Sequence, residues 1–245
     1  MLVEPGTIVD TTTDSRWTPV RVTAHLAEPI INLDGHACHL DGPAAFAAYL
    51  AYTDRHGHHS LPPMGRDSVV DFALPLATWT APAPGPVHQL ARAATPGHVW
   101  GWACSAAAAD PAAWTVVEVR RKPNSEAMHR YAPDRKVHLA TGPLKARNAT
   151  HPATIVRTIT WWALADPDRL HALLSRVPGL GRHTRHGNGR VHRWEVTPDP
   201  RAATLWRRRV WPDPDGTPDT IRAPYHHHTR LMPCTPPPQR SEERC

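Results

Sequence analysis

The residues best suited to bind a ligand lie in one segment, Val177 to Trp194 (VPGLGRHTRHGNGRVHRW), which contains no acidic residue. Glycine permits positive φ angles and close approach of the backbone, so repeated glycines can turn N–H groups towards an anion. Arginine adds a fixed charge whose forked donors suit phosphate. The segment predicts a flexible basic loop, residues 177–190 (the Gly-rich loop), that binds a polyanion. The candidate binding residues are Gly179, Gly181, Arg182, His183, Arg185, His186, Gly187, Gly189 and Arg190.

A helix and a strand must position this loop. Asp166 suits an N-cap and Pro167 suits the first helical position. An apolar stripe at i, i+3, i+4 and i+7 follows, formed by Leu170, Leu173, Leu174 and Val177. Residues 191–196 then alternate in the manner of a strand. The sequence predicts the order helix, Gly-rich loop, strand.

The charge balance favours an acidic partner. The chain has 245 residues, a net charge of +6 and a pI near 9.5, and nucleic acid is the commonest acidic partner of a basic protein. Arginine carries nearly all of the positive charge, because lysine occurs only at positions 122, 136 and 145. The position of the arginines is therefore more informative than their number.

The chain gives no sign of a secreted or membrane protein. The first residues lack the basic and apolar regions of a signal peptide, and no apolar run approaches the roughly 18 residues that span a bilayer. The four cysteines contain no CxxC pair, so neither a zinc ribbon nor a disulfide framework is indicated. We expect a cytoplasmic protein without a membrane partner.

The order of the remaining elements predicts an α+β fold. Residues 20–27 alternate as a half-buried strand, Asp41 is a candidate N-cap for a helix over about 41–53, and residues 154–164 form the clearest strand. Together with the helix and strand around the Gly-rich loop, they give the β-α-β-β-α-β order of a ferredoxin-like fold.

The domain organisation follows from composition. We expect an N-terminal arm at 1–16, one domain over 17–211 with an insertion at about 54–140, and a Pro-rich, largely irregular tail at 212–245. The run ATLWRRRVW (203–211) is expected to form a last strand. Trp100, Trp102, Trp114 and Trp194 are expected in the core, and Trp161 and Trp162 on opposite faces of one strand.

A second basic segment lies in and after the insertion. Few apolar residues occur there, so it should face solvent and could close over a ligand bound at the Gly-rich loop. Its candidate RNA-binding residues are Arg120, Arg121, Lys122, Lys145 and Arg147.

Four stretches carry a family resemblance: RVTAHLAEPI (21–30), HLDGPAAFAAYL (39–50), TGPLKAR (141–147) and PGLGRHTRHGNGRVHRWEV (178–196). Together they resemble RAMP-superfamily CRISPR-associated proteins. Within that superfamily they most resemble the Cas5-like, Csf3-type subunit that holds the 5′ handle of the guide RNA in type IV effector complexes.

The resemblance implies a ferredoxin-like (RRM-like, RAMP) fold with a thumb-like insertion, and a cytoplasmic role in antiviral defence. The implied partners are the guide RNA, through its 5′ handle, and the large and backbone subunits of the effector complex. Target DNA, reached through the complex, is a further candidate. The resemblance implies RNA contact by the Gly-rich loop, no cofactor and no catalysis.

Two other classes of function stay open. Relatives in the same superfamily cut guide RNA without metal, and histidine can move the protons that this reaction needs. The candidates for such an endoribonuclease are His25, His36, His39, His183 and His186. Metal binding is the other class, at positions 36, 38 and 39, at 56, 58 and 59, or at 226–228, although adjacent residues cannot all turn to one tetrahedral centre.

Overall fold

A computed structural model describes residues 2–3, 7–31, 38–61, 69–109, 111–121, 124, 126, 129–130, 147–225 and 227–237. The strands are β1 (Leu2–Val3), β2 (Thr18–Leu26), β3 (Ile30–Ile31), β4 (Asp71–Phe72), β5 (Thr78–Pro82), β6 (His98–Trp102), β7 (Ala108–Ala109), β8 (Ala113–Arg121), β9 (Arg147–Ile155), β10 (Thr158–Ala165), β11 (Val191–Pro198), β12 (Trp211–Asp219) and β13 (Met232–Thr235). Three α-helices are described, α1 (Asp41–His56), α2 (Pro167–Leu174) and α3 (Ala202–Leu205). The mixed, strand-rich content confirms the α+β class.

Four strands form an antiparallel sheet in the spatial order β11-β2-β10-β7. Along the chain, α1 lies between β2 and β7, and α2 lies between β10 and β11. The alternation in β2 has the expected effect, because Val20, Val22 and Ala24 are fully buried. Burial of each large apolar side chain contributes about 1.5–3 kcal/mol to stability. The sheet is therefore held from one face by the main apolar core.

The two long helices begin differently. As predicted, Asp166 caps α2, because its carboxylate accepts the Arg169 N–H at 3.1 Å. Asp41 was predicted to cap α1 in the same way, and this is wrong: the N-cap residue is Leu40, without a side-chain cap bond. The Asp41 carboxylate is buried and instead accepts hydrogen bonds from the Ala223 N–H at 2.9 Å and the Tyr225 hydroxyl. Asp41 thus holds a distant part of the chain.

The strand predicted over 154–164 is two strands. The chain leaves the ladder at Val156 and Arg157, so β9 pairs with β8 and β3, whereas β10 joins the four-stranded sheet. Val156 is buried at this point, and the Arg157 carbonyl accepts the Leu26 N–H at 2.9 Å. An apolar pattern that runs through a change of sheet cannot be distinguished from one continuous strand.

The tryptophans follow their predicted positions with one exception. Trp100, Trp102, Trp161 and Trp194 are buried, and Trp162 is on the other, half-buried face of β10. Trp114 was expected in the core but is 74% exposed, because it lies on an open face of the long hairpin β8–β9. Trp79 completes a second apolar cluster with residues of the C-terminal segment.

The C-terminal segment is more ordered than predicted. Residues 203–211 are not a strand: Ala202–Leu205 is helical, since Ala and Leu favour helix, and turns lead to β12. β12 and β13 then pair with each other, so the described residues 212–235 are not an irregular tail. Buried arginines at 209, 222 and 230 connect this segment to the rest of the fold. None of the helices in the described part of the chain combines the length and apolar character needed to cross a membrane.

Candidate nucleic-acid interface

The Gly-rich loop folds back on itself as a tight hairpin. The Leu180 N–H donates to the Gly189 carbonyl and the Val191 N–H donates to the Pro178 carbonyl, both at 2.9 Å. A 3₁₀ turn, Thr184–His186, forms the tip. The loop is therefore an ordered hairpin between α2 and β11, where a flexible loop was predicted.

Two glycines allow close backbone contacts, one between the hairpin and β3 and one within the hairpin. At Gly181 φ is +81°, and a Cβ would lie 2.4 Å from the Ile31 carbonyl oxygen. At Gly189 φ is +62°, and a Cβ would lie 2.0 Å from the Leu180 carbonyl oxygen. Both conformations are strained for a residue with a side chain, and neither site has space for one.

Some backbone donors of the loop are already used. The Arg182 N–H donates to the Ile31 carbonyl at 3.2 Å, and the Gly189 N–H donates to the Pro29 carbonyl at 2.8 Å. The prediction that loop N–H groups turn towards an anion is therefore wrong for Leu180, Arg182 and Gly189. The Leu180 bond closes the hairpin, and the bonds of Arg182 and Gly189 fix it on β3 and on the residue before β3.

The cationic side chains of the loop point outwards. Arg182, Arg185 and Arg190 are exposed, as is His186. Among the described residues, no carboxylate forms an ion pair with any of these three arginines. A rigid backbone thus presents uncompensated positive charge to solvent.

Three histidines lie beside these arginines. The rings of His151 and His183 have centroids 4.7 Å apart, and those of His183 and His186 are 6.1 Å apart. The pKa of His183 is lowered, chiefly by desolvation and then by His151, His186, Arg185 and Arg182. A nearby anion would reverse the electrostatic part of this shift. His151 belongs to β9, so the hairpin β8–β9 reaches the Gly-rich loop.

Three residues of the second basic segment, at positions 120, 121 and 147, belong to that hairpin. Positions 121 and 147 are directly opposite each other in its register. Arg120 pairs with Glu118 at 3.0 Å, so its charge is compensated. Lys122 and Lys145 are outside the described residues.

Of the candidate catalytic histidines, His183 and His186 are neighbours in the Gly-rich loop, whereas His25 and His39 lie in other parts of the fold. His39 is buried, accepts the Val210 N–H at 3.2 Å and stacks on Tyr225. Burial also lowers the pKa of His39. His25 is in β2, where its Nε2 lies 2.9 Å from Glu195 Oε2. His36 is outside the described residues.

The candidate metal ligands do not form a centre in the described part of the chain. No group of three or more His, Cys, Asp or Glu side chains there is arranged to hold a metal ion. His58 and His59 lie in an exposed turn after α1, and the His58 Nδ1 lies 3.2 Å from the Tyr49 hydroxyl. His226 is outside the described residues.

Sequence reasoning missed a set of buried charged side chains. Arg222 lies 2.9 Å from the Trp100 carbonyl, 3.4 Å from Asp71 and 3.9 Å from the centre of the Trp100 ring. Arg230 pairs with the same carboxylate at 2.7 Å. Arg209 donates to the carbonyls of Trp102, Cys104 and Ile221. No sequence pattern marks them as buried, since Arg209 stands in a run of three arginines and Arg222 and Arg230 have both polar and apolar neighbours.

Comparison with known proteins gives one family. A family model described as CRISPR type IV associated protein Csf3 matches residues 107–237, more than half of the chain. The matched range includes the hairpin β8–β9, the Gly-rich loop and the strands β12 and β13. No curated protein matches the chain.

Proposed function

The chain belongs to the Csf3 family of type IV CRISPR-associated proteins, and from this premise we propose that it is an RNA-binding structural subunit of a type IV effector ribonucleoprotein. In this role it caps the 5′ handle of the guide RNA. It also docks against the large and backbone subunits of the complex. Family membership supports the place in a type IV assembly.

We propose a ferredoxin-like RAMP fold for the domain. The supporting observation is the chain order β2-α1-β7-β10-α2-β11 combined with the antiparallel strand order β11-β2-β10-β7. With the strands renumbered one to four along the chain, this is the order 4-1-3-2 of a β-α-β-β-α-β unit. The Gly-rich loop then lies between the second helix and the fourth strand.

One observation carries the proposal of RNA binding: exposed arginines without carboxylate partners stand on a rigid loop. Such side chains can neutralise successive phosphates at little cost in backbone entropy. The pKa of His183 is lowered first by desolvation and then by the cationic side chains around it, which repel a proton on this ring. A phosphate backbone would relieve this repulsion, whereas a neutral partner would not.

We propose that the subunit binds RNA without cleaving it. General acid–base cleavage needs two proton-transfer groups placed on either side of one phosphate. Of the five candidate histidines, His39 is in the core and His25 is held by Glu195. Both observations support a role in binding over catalysis.

The test uses the purified full-length chain and a guide RNA with the host repeat handle, in native form and with 2′-deoxy substitutions in the handle. We expect tight binding that weakens steeply with salt, and no cleavage of either RNA. Site-specific cuts that disappear with the deoxy RNA would show that the subunit is an endoribonuclease. Binding that does not change with salt would remove phosphate contact as the basis of the function.

A further inference from the structure

An open pocket of about 530 Å³ lies outside the Gly-rich loop, where β2 ends, β9 passes into β10 and β11 begins. Its floor is apolar and includes Leu26, Pro29 and Val156. Three groups that can carry positive charge, His25, Arg157 and His192, line it as well. This combination of an apolar floor and polar walls is typical of a ligand site.

A β-bulge places one of these histidines. Val191 pairs with Leu26 and Arg193 pairs with His25, so His192 is the extra residue of the bulge. The His192 ring lies edge-on to the His25 ring, with centroids 5.8 Å apart. Bulges commonly redirect a side chain near a functional site. Here the irregularity brings two imidazole rings into one pocket.

The position of His25 is fixed by its neighbours. Its Nε2 lies 2.9 Å from Glu195 Oε2 and 3.2 Å from the Arg193 guanidinium. The pKa of Glu195 is lowered, mainly by the hydrogen bond with His25 and then by Arg193. The carboxylate is therefore compensated, and the imidazole is held in one orientation.

Ile155 is an apolar side chain left uncovered in this setting. It ends β9, lines the pocket and is 39% exposed. Exposed aliphatic groups are ordinary when isolated, but Ile155 stands beside two imidazoles and an arginine. A flat ring with polar edges would cover Ile155, and its edges could form hydrogen bonds with the two imidazoles and the arginine.

Two hydrogen bonds join the pocket to the Gly-rich loop. The Ala27 N–H donates to the Arg190 carbonyl at 2.8 Å, and the Gly189 N–H donates to the Pro29 carbonyl at 2.8 Å. The pocket wall at residues 27–29 is thus continuous with the loop. A strand of RNA that lies along the loop has its next unpaired nucleotide within reach of the pocket.

We propose that this pocket holds one unpaired base of the bound RNA, an inference that rests on the proposed function. The base packs against Ile155 and the His192 ring, and Arg157 binds an adjacent phosphate. Stacking on protein side chains is the usual means of holding single-stranded RNA. Glu28, also in the lining, can accept from an exocyclic amino group, which favours adenine, cytosine or guanine over uracil.

The test measures binding of the full-length chain to the repeat handle RNA and to versions in which one nucleotide at a time is abasic. For the wild type, we expect one position at which loss of the base weakens binding by about tenfold. In the variant Ile155→Ala/His192→Ala this penalty should disappear. The variant Leu231→Ala/His59→Ala, which truncates an aliphatic residue and a histidine that are also exposed, should keep it.

The outcomes separate this inference from the proposed function. Salt-sensitive binding with the same abasic penalties in wild type and pocket variant would overturn the pocket and leave the function standing. Absence of RNA binding by the wild type would overturn both. Because the pocket variant could fold poorly, a second measurement uses wild-type protein. The RNA carries 6-thioguanosine at the position where the abasic substitution weakens binding. A photocrosslink to the peptide of residue 155 or 192 supports the pocket, and crosslinks confined to other peptides overturn it.

Discussion

Two groups of arginines in this protein have the same side chain and opposite roles. Arg182, Arg185 and Arg190 of the Gly-rich loop are exposed and lack carboxylate partners among the described residues. Arg209, Arg222 and Arg230 are almost fully buried, and terminal guanidinium nitrogens of each bind backbone carbonyls or Asp71. The first group is available to a ligand, and the second holds the C-terminal segment in place.

The comparison shows that the net charge of the chain does not measure its capacity to bind an anion. Burial and the neighbouring Arg230 lower the pKa of Arg222 to about 10, while Asp71 opposes the shift. Arg222 therefore stays charged at neutral pH, but its charge is directed inwards. In the proposed function, the charge available to RNA is the part that the exposed arginines of the Gly-rich loop display.

The largest effect is expected at a buried arginine. Arg222→Ala should reduce the free energy of unfolding by about 3–5 kcal/mol, because it leaves the carbonyls of Trp100 and Leu90 without their donor and Asp71 with Arg230 as its remaining partner. Urea denaturation followed by circular dichroism would measure the loss. Arg207→Ala is the matched control, since Arg207 is exposed and its truncation should cost no more than about 0.5 kcal/mol. Equal losses in the two variants would contradict the distinction between buried and exposed arginines.

A smaller effect on stability is expected in the backbone of the Gly-rich loop, which carries the exposed arginines. Gly181→Ala should reduce the free energy of unfolding by about 1–3 kcal/mol more than Gly187→Ala. Both residues have positive φ, but a Cβ at Gly181 would meet Ile30 and Ile31, whereas at Gly187 no heavy atom lies within 4 Å. Thermal unfolding of both variants measures the difference. If the two unfold alike, the hairpin is not held against β3 as described.

The smallest effect is expected in the pH dependence of RNA binding, through protonation of His183. Because cationic neighbours contribute to the lowered pKa of His183, a bound phosphate should raise that pKa again. RNA binding then takes up protons and tightens as the pH falls from about 7.5 to 6, by at most about tenfold per pH unit for one group. His183→Asn keeps the left-handed conformation, which Asn tolerates, and should flatten this dependence. A pH profile unchanged by the substitution would exclude His183 from the RNA contact.

The parts of the fold that follow from local chemistry could be predicted. The helix α2 was predicted from Asp166, Pro167 and the leucine stripe, and the strands β2 and β11 were predicted from the alternation of their residues. The Gly-rich loop was located correctly, but its glycines were assigned to ligand approach, whereas Gly181 allows packing on β3 and Gly189 allows close pairing with Leu180 inside the hairpin. For Gly181, that distinction depends on Ile31, a neighbour more than 140 positions away in the chain.

Features that depend on tertiary contacts could not be predicted from local sequence patterns. The division into β9 and β10 depends on which sheet each half joins, and the bulge at His192 depends on the register with β2. Trp114 is a large aromatic residue of the kind usually found in a core, but it lies on an open face of the hairpin β8–β9. Arg209 lies two positions after the exposed Arg207 in a run of three arginines, and only the structure shows that it is buried among backbone carbonyls.

The most direct test of the account replaces the three loop arginines together. Arg182→Ala/Arg185→Ala/Arg190→Ala should leave the free energy of unfolding within about 1 kcal/mol of wild type, and should reduce the slope of log affinity against log salt for handle RNA by about 2. The control Arg16→Ala/Arg55→Ala/Arg169→Ala removes three exposed arginines elsewhere and should keep most of the wild-type slope. A loop variant that binds RNA with the wild-type affinity and slope would contradict the central claim that the Gly-rich loop carries the RNA site.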